Sequence, residues 1–228
     1  MFLFAALQSS LAQRTDWGGP WGVGAGLGTT SYIGDLNEHN ANRFIIMPQS
    51  LSFAGKGWFS KGFGPLTLII QMDLGRLQSR DYRKDLKFRG SFYNYGAHVK
   101  VNMNKLLLGR KYRMEKWHFF LQGGVSMMRY SSYLTDIPND TLYSEVGYAA
   151  IGKSLALVGG MGIEYKITDE VNFQILVEYN KLNMDDIDAL IKGSSNDNYI
   201  LMSMGVSYTF GNVYVSGGRR RSLLWGKY

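Results

Sequence analysis

The sequence predicts an all-β fold, an eight-stranded antiparallel β-barrel that is closed on itself and surrounded by lipid. Three observations carry this prediction. Large apolar residues recur at every second position, as in Ile200, Met202, Met204, Val206, Tyr208 and Phe210, with Ser203, Gly205, Ser207 and Thr209 between them. The chain offers no helices that could cover the apolar face of such a sheet. The alternating runs are also longer than ordinary globular strands, and roughly 9–11 tilted residues are enough to cross a bilayer. Hydrocarbon supplies no partner for a backbone N–H or C=O, so strands that face lipid must close into a barrel.

A chain of 228 residues has room for one such barrel and little else. Residues 1–13, which begin Met1-Phe-Leu-Phe-Ala-Ala-Leu, read as a secretory signal peptide with a short apolar core and a cleavage point at Ala12-Gln13. No run of about 18 apolar residues follows, so no transmembrane helix is predicted. The mean hydropathy of −0.16 is compatible with a barrel, because inward-facing polar residues dilute the average. The 0 Cys exclude disulfides, thiolate metal sites and thiol catalysis.

Period-two alternation places strands at about 20–33, 49–60, 65–77, 91–103, 117–131, 153–166, 171–182 and 198–210. In the first, Gly22, Gly24, Gly26 and Gly28 fall on one face. A dinucleotide-binding loop needs a different spacing and a following helix, so these glycines are expected to make room inside a narrow lumen. In the fourth, Tyr93, Tyr95, Ala97, Val99 and Val101 alternate with Asn94, Gly96, His98, Lys100 and Asn102. The seventh sets Val171, Phe173, Ile175, Val177 and Tyr179 against Asn172, Gln174, Glu178 and Asn180, with Leu176 alone interrupting the polar row. This is the pattern of a wall with lipid outside and a polar lumen inside. Lys61–Gly64 and Ile167–Glu170 read as short turns. Leu36–Pro48, Gln78–Gly90, Ser132–Gly152 and Asn183–Asn198 read as long loops, while the middle connection Asn104–Lys116 is longer than a simple turn. Short turns on the periplasmic side and long loops outside are the rule for outer-membrane barrels, which puts both ends of the barrel in the periplasm.

The ionisable residues expected in the lumen are Lys56, Asp73, His98, Lys100, Glu164, Lys166 and Glu178. Their signs nearly balance. An eight-stranded barrel is just wide enough for its own side chains, so the charges are expected to pair as a plug rather than line a channel. His39, His98 and His118 lack metal-ligand spacing. Asp185, Asp186, Asp188 and Asp197 form an acidic loop without the order of a calcium-binding loop, and a solvated loop is expected. No Ser/His/Asp set presents itself, so neither an enzyme nor a cofactor is expected. The sequon at Asn139 is treated as chance.

Charge is distributed unevenly. The net charge is +7, yet two segments hold most of it. The middle connection carries Lys105, Arg110, Lys111, Arg113 and Lys116 against Glu115, and the tail after Phe210 carries Arg219, Arg220, Arg221 and Lys227 with Tyr214, Trp225 and Tyr228. Cations interleaved with aromatics suit a protein interface, and Lys105, Arg110, Lys111, Arg113, Arg219, Arg220, Arg221 and Trp225 are the expected partner-binding residues. The compartment argues against nucleic acid.

The run Gly24-Ala-Gly-Leu-Gly-Thr-Thr-Ser-Tyr-Ile-Gly-Asp-Leu36 resembles the first strand of PorG-type outer-membrane barrels of the Bacteroidetes type IX secretion and gliding machinery, with Tyr32, Gly34, Asp35 and Leu36 at the positions of their Tyr-x-Gly-Asp-Leu motif. The ending Tyr208-Thr-Phe210 is also similar, and a terminal aromatic of this kind implies recognition by the barrel-assembly machinery. This chain departs from the pattern in continuing past Phe210. The resemblance implies a non-enzymatic component of a secretion complex that sits among outer-membrane lipids and anchors a periplasmic ring of PorK- and PorN-type proteins. Three rival functions remain: a small pore, a surface adhesin of the OmpA or opacity type, and an outer-membrane lipid enzyme.

Overall fold

The computed structural model describes residues 19–33, 51–81, 86–108, 116–136, 150–183, 197–214 and 220–222. It is a closed barrel of eight antiparallel strands: β1 (Trp21–Ile33), β2 (Leu51–Phe63), β3 (Leu66–Asp81), β4 (Leu86–Asn102), β5 (Trp117–Asp136), β6 (Ala150–Lys166), β7 (Val171–Leu182) and β8 (Asn198–Phe210). Each strand pairs with its sequence neighbours. The seam closes between β1 and β8, from Trp21 opposite Phe210 to Ile33 opposite Asn198. The signal-peptide residues 1–13 lie outside the described residues.

Strand alternation sorts side chains between lipid and lumen. On β7, Ile175 and Tyr179 are exposed on the outer wall, while Gln174, Glu178 and Asn180 are buried inside. On β3, Leu68, Ile70, Met72 and Leu74 face out, and Ile69, Gln71 and Asp73 are buried. Aromatic rings collect on the outer wall where the barrel begins and ends. Trp21 stacks on Phe59 at 5.1 Å, Phe59 meets Phe210 at 6.5 Å, and Trp117 meets Tyr165 at 4.6 Å. Rings with an apolar body suit the boundary of a bilayer.

The two ends differ in how the strands are joined. At the turn end, β2 passes into β3 through Gly64-Pro65, with Gly64 at φ 61°, so the turn lies at the far edge of the expected Lys61–Gly64 segment. Between β6 and β7, the Thr168 hydroxyl accepts from the backbone N–H of Glu170 and Val171 at 3.2 and 2.9 Å. The middle connection holds a short helix that the alternation did not reveal, α1 (Met103–Leu108). Asn102 caps it by accepting from the Lys105 N–H at 2.9 Å. Asn104 then accepts from the Phe119 N–H at 2.8 Å and donates to the Trp117 carbonyl at 3.0 Å, so its amide stands in for a strand partner at the start of β5.

At the loop end, strand extends into two of the expected loops. β3 and β4 stay paired as far as Asp81 opposite Leu86, so most of Gln78–Gly90 is hairpin. Likewise β5 runs to Asp136 and β6 starts at Ala150, inside the expected loop Ser132–Gly152. On β3 the outward residues past Leu74 are Arg76 and Gln78, so the alternation fades while the backbone pairing continues. After Phe210 and Gly211 the chain forms a separate two-stranded hairpin, β9 (Asn212–Tyr214) with β10 (Arg220–Ser222).

The facing assignment generates a prediction. Ile70 is 68% exposed near the middle of the apolar wall. Ile70→Arg is expected to destabilise the inserted barrel by about 2–4 kcal/mol, read from denaturant unfolding in lipid vesicles. An unchanged midpoint would mean that Ile70 does not face lipid.

Candidate functional site

The lumen is filled in three storeys. Glycines and bulky side chains share the space between them. A Cβ at Gly24 would fall inside the Trp58 indole, and one at Gly205 would meet the same ring. Gly162 makes the same allowance for Phe120, Gly75 for Phe92, and Gly152 for Tyr130. Gly24 on β1 and its counterparts elsewhere therefore provide the volume that these rings occupy, while Gly26 and Gly28 lie against the β8 backbone at Met204 and Met202.

The middle storey is a buried polar network. Lys56 Nζ donates to Glu178 Oε2 and lies 3.8 Å from Asp73 Oδ1, with all three side chains almost fully buried. Gln71 Nε2 lies between the two carboxylates, 3.0 Å from Asp73 Oδ2 and 3.1 Å from Glu178 Oε1. Gln122 Nε2 reaches Gln71 Oε1 at 2.9 Å and Glu178 Oε1 at 3.0 Å. Asn94 Nδ2 reaches Asp73 Oδ2 at 3.3 Å and Tyr199 Oη at 3.4 Å. One cation thus faces two carboxylates, whose other lone pairs are held by carboxamide donors. This satisfaction is what makes buried charge tolerable.

Toward the turn end a second pair forms. Lys100 Nζ is 2.7 Å from Glu164 Oε2 and 4.8 Å from the centre of the Phe120 ring. Toward the loop end, an apolar storey covers the network. Tyr32 packs on Phe88 at 5.2 Å and Phe92 on Tyr199 at 5.3 Å, with Leu77, Met128, Tyr130, Leu182 and Leu201 around them. The Tyr32 hydroxyl donates to Asp197.

Among the residues expected in the lumen, the structure brings Lys56, Asp73 and Glu178 into one cluster and Lys100 and Glu164 into another. Lys166 instead pairs with Asp169 in the β6–β7 turn at 2.6 Å, at the rim. His98 is buried, and among the described residues neither of its ring nitrogens has a hydrogen-bond partner. Sequence reasoning placed Asn94 on the lumen face without joining it to this network, and it missed Gln71, Gln122 and the apolar storey. The available signal was parity: Tyr32, Leu77, Phe88, Phe92 and Tyr199 are large apolar residues on the inward register.

Tyr208 is exposed on the outer wall of β8 at the turn end, with Phe210 stacked 6.3 Å away. Lys105 is exposed on α1, and the backbone of Arg220 and Arg221 lies in β10. Arg110, Lys111, Arg113, Arg219 and Trp225 lie outside the described residues, as do Asp185, Asp186 and Asp188. Among the described residues, no group of His, Cys, Asp and Glu is placed to hold a metal ion.

The network predicts an asymmetry. Lys56→Met leaves two buried carboxylates facing each other and is expected to cost about 3–5 kcal/mol, read from denaturant unfolding. Replacing Lys56, Asp73 and Glu178 together by Met, Asn and Gln is expected to recover most of that loss. A single variant as stable as the parent would show that the charges are not coupled.

The chain is similar to solved outer-membrane barrels. Neisserial surface protein A shares 16% identity, with a TM-score of 0.55 over 83% of this chain and 97% of that one. OprG from Pseudomonas aeruginosa shares 11% identity at a TM-score of 0.48, over 84% and 96%. The attachment invasion locus protein Ail of Yersinia pestis shares 12% at 0.47, over 84% and 99%. A comparison with curated protein sequences gave no match. Residues 1–210 match the family described as the outer membrane protein beta-barrel domain. The chain is therefore a member of the outer membrane protein β-barrel family, a bacterial outer-membrane protein whose wall contacts membrane lipid.

Proposed function

We propose that this barrel is a non-enzymatic, non-conducting anchor for a protein secretion complex of the type IX class. Its turn end would face the periplasm and dock a ring of PorK- and PorN-type proteins. The observation that supports the non-conducting part is a lumen filled by buried side chains. The Lys56–Asp73–Glu178 network fills the centre, and the Tyr32–Phe88 and Phe92–Tyr199 contacts cover it on the loop side.

Support for docking comes from the turn end. Both ends of the barrel emerge there, at Trp21 and Phe210. The same end carries α1 with its exposed Lys105, and the β9–β10 hairpin lies beyond Phe210. The secretion assignment rests on the resemblance of the Tyr32–Leu36 segment. In this chain Tyr32 is fully buried in the apolar storey. Assembly by the barrel-insertion machinery, with Tyr208 and Phe210 as its signal, belongs to the same reading. An adhesin is the second reading, favoured by the paired hairpins β3–β4 and β5–β6 that continue past the apolar wall.

Two measurements test the anchor. Planar-bilayer recordings of the purified barrel are expected to show no conductance steps; regular steps would move the pore to the front. A mild-detergent pull-down of the full chain from its own membrane is expected to recover a periplasmic ring lipoprotein. Truncation after Gly211 is expected to keep the folded barrel and lose most of the ring. Recovery of the barrel alone from cells with an intact ring would end the secretion reading.

A further inference from the structure

The outer wall is charged unevenly at its loop end. Arg129 on β5 stands directly opposite Lys153 on β6, and both side chains are exposed. On its other side Arg129 stands opposite Tyr93 of β4, with the guanidinium 5.7 Å from the ring centre. Arg89, also exposed, is opposite Tyr133. Like charges directly opposite each other on a sheet repel. Among the described residues none of Arg89, Arg129 and Lys153 pairs with a carboxylate. Arg76 on β3 and Lys181 on β7 are exposed outward cations that flank this group, whereas the outward residues of β8, β1 and β2 at the same end are Ile200, Thr29 and Phe53, which carry no charge.

Depth places these cations at a membrane boundary. The outward residues of β5 run from the Trp117 ring through Phe119, Leu121 and Val125 to Met127. That is the length of about 9–11 tilted residues that crosses the hydrocarbon. Arg129 is the next outward residue. On β6 the stretch from Tyr165 to Leu155 has the same length, and Lys153 comes next. Tyr93 and Tyr95, stacked at 5.8 Å, mark the same boundary on β4.

We infer that the β4–β6 wall binds the phosphorylated headgroup of an outer-leaflet glycolipid. Arg129 and Lys153 together hold one phosphate, which removes their mutual repulsion. Arg89 is available to a second acidic group, and the Tyr93 and Tyr133 rings offer flat surfaces to the sugars. Arginine suits this occupant because its planar fork matches phosphate oxygens in pairs. The occupant rests on the reading that the loop end faces outward.

The test uses the purified full chain in detergent, titrated with diphosphoryl lipid A and read by native mass spectrometry. Phosphatidylglycerol and inorganic pyrophosphate serve as the competing sources of phosphate. The parent is expected to retain one lipid A. The Arg129→Gln/Lys153→Gln variant should bind it about tenfold more weakly or worse, as expected when two charged hydrogen-bond donors are removed. Lys61→Gln, a charge removal at the turn end, should bind like the parent, and heat-modifiable gel mobility would confirm that each variant is folded. Equal binding by the double variant would overturn the site, as would equally tight binding of phosphatidylglycerol or pyrophosphate. Labelling of a loop-end cysteine on intact cells tests orientation separately. If that label stays out of reach while purified lipid A binding behaves as expected, the orientation fails and the glycolipid fails with it as the native occupant.

Discussion

The rest of this structure depends on backbone closure. Within hydrocarbon, each N–H and C=O must find its partner inside the protein. The chain achieves this by pairing β1 with β8 along the whole seam, from Trp21 opposite Phe210 to Ile33 opposite Asn198. Closing at eight strands sets the lumen to roughly the width of its own side chains. Volume inside then becomes the scarce quantity. Several large inward rings occupy space where another strand gives up its Cβ: Gly24 and Gly205 flank Trp58, and Gly162 lies against Phe120. Glycine weakens a strand in ordinary settings. In this barrel it allows the interior to be filled without distorting the wall.

A filled interior changes how charge can be held. Lys56 and its two carboxylates lie away from water, where an unpaired ion is costly and a paired one is strongly held. The carboxamides of Gln71, Gln122 and Asn94 take up the remaining acceptors. The apolar storey above, built around Phe88 and Phe92, keeps solvent from competing with these contacts on the loop side. The plug is therefore cooperative: the aromatic cover strengthens the polar contacts beneath it, and the polar contacts tie opposite walls together. Lys56 on β2 and Glu178 on β7 belong to strands that do not neighbour each other in the barrel, so their bond braces the lumen across its width.

The wall was legible in the sequence because lipid enforces a strict period of two. All eight strands were expected close to where they stand, and the inward glycines of β1 were recognised from their spacing. Legibility ended where that enforcement ends. Above the membrane, β3 continues as Leu77-Gln-Ser-Arg-Asp81 with no apolar outward residue to mark it, so a paired hairpin resembled a loop. At the turn end, Met103–Leu108 is too short for helical periodicity to stand out, and its cap, Asn102, is also the last residue of β4. Within the lumen, the sequence supplied the charged residues but not their partners. Pairing across the barrel follows from register and shear, to which neighbouring residues give no clue. Lys100 and Glu164 meet across β5, and Lys166, two residues further along the same inward row, turns to Asp169 instead.

With the lumen filled by buried side chains, the proposed function falls to the surfaces that remain, and these differ in kind. The turn end carries a capped helix and, after the barrel closes at Phe210, a separate hairpin; neither is needed to complete the sheet. The loop end carries strands that outlast the membrane, and the longest of all is β5, at 20 residues. The length of β5 has a consequence for the wall as well. A strand that ended at the hydrocarbon boundary would place its last outward residue in lipid, where a cation is expensive. A strand that continues can set Arg129 just past Met127, at a depth where charge meets headgroups. The same elongation that extends the β5–β6 hairpin beyond the membrane therefore also sets Arg129 in a cationic edge that spans β3 to β7, with Arg76 and Lys181 at its flanks, and leaves β8, β1 and β2 neutral. The proposed headgroup contact is thereby confined to one face of the barrel.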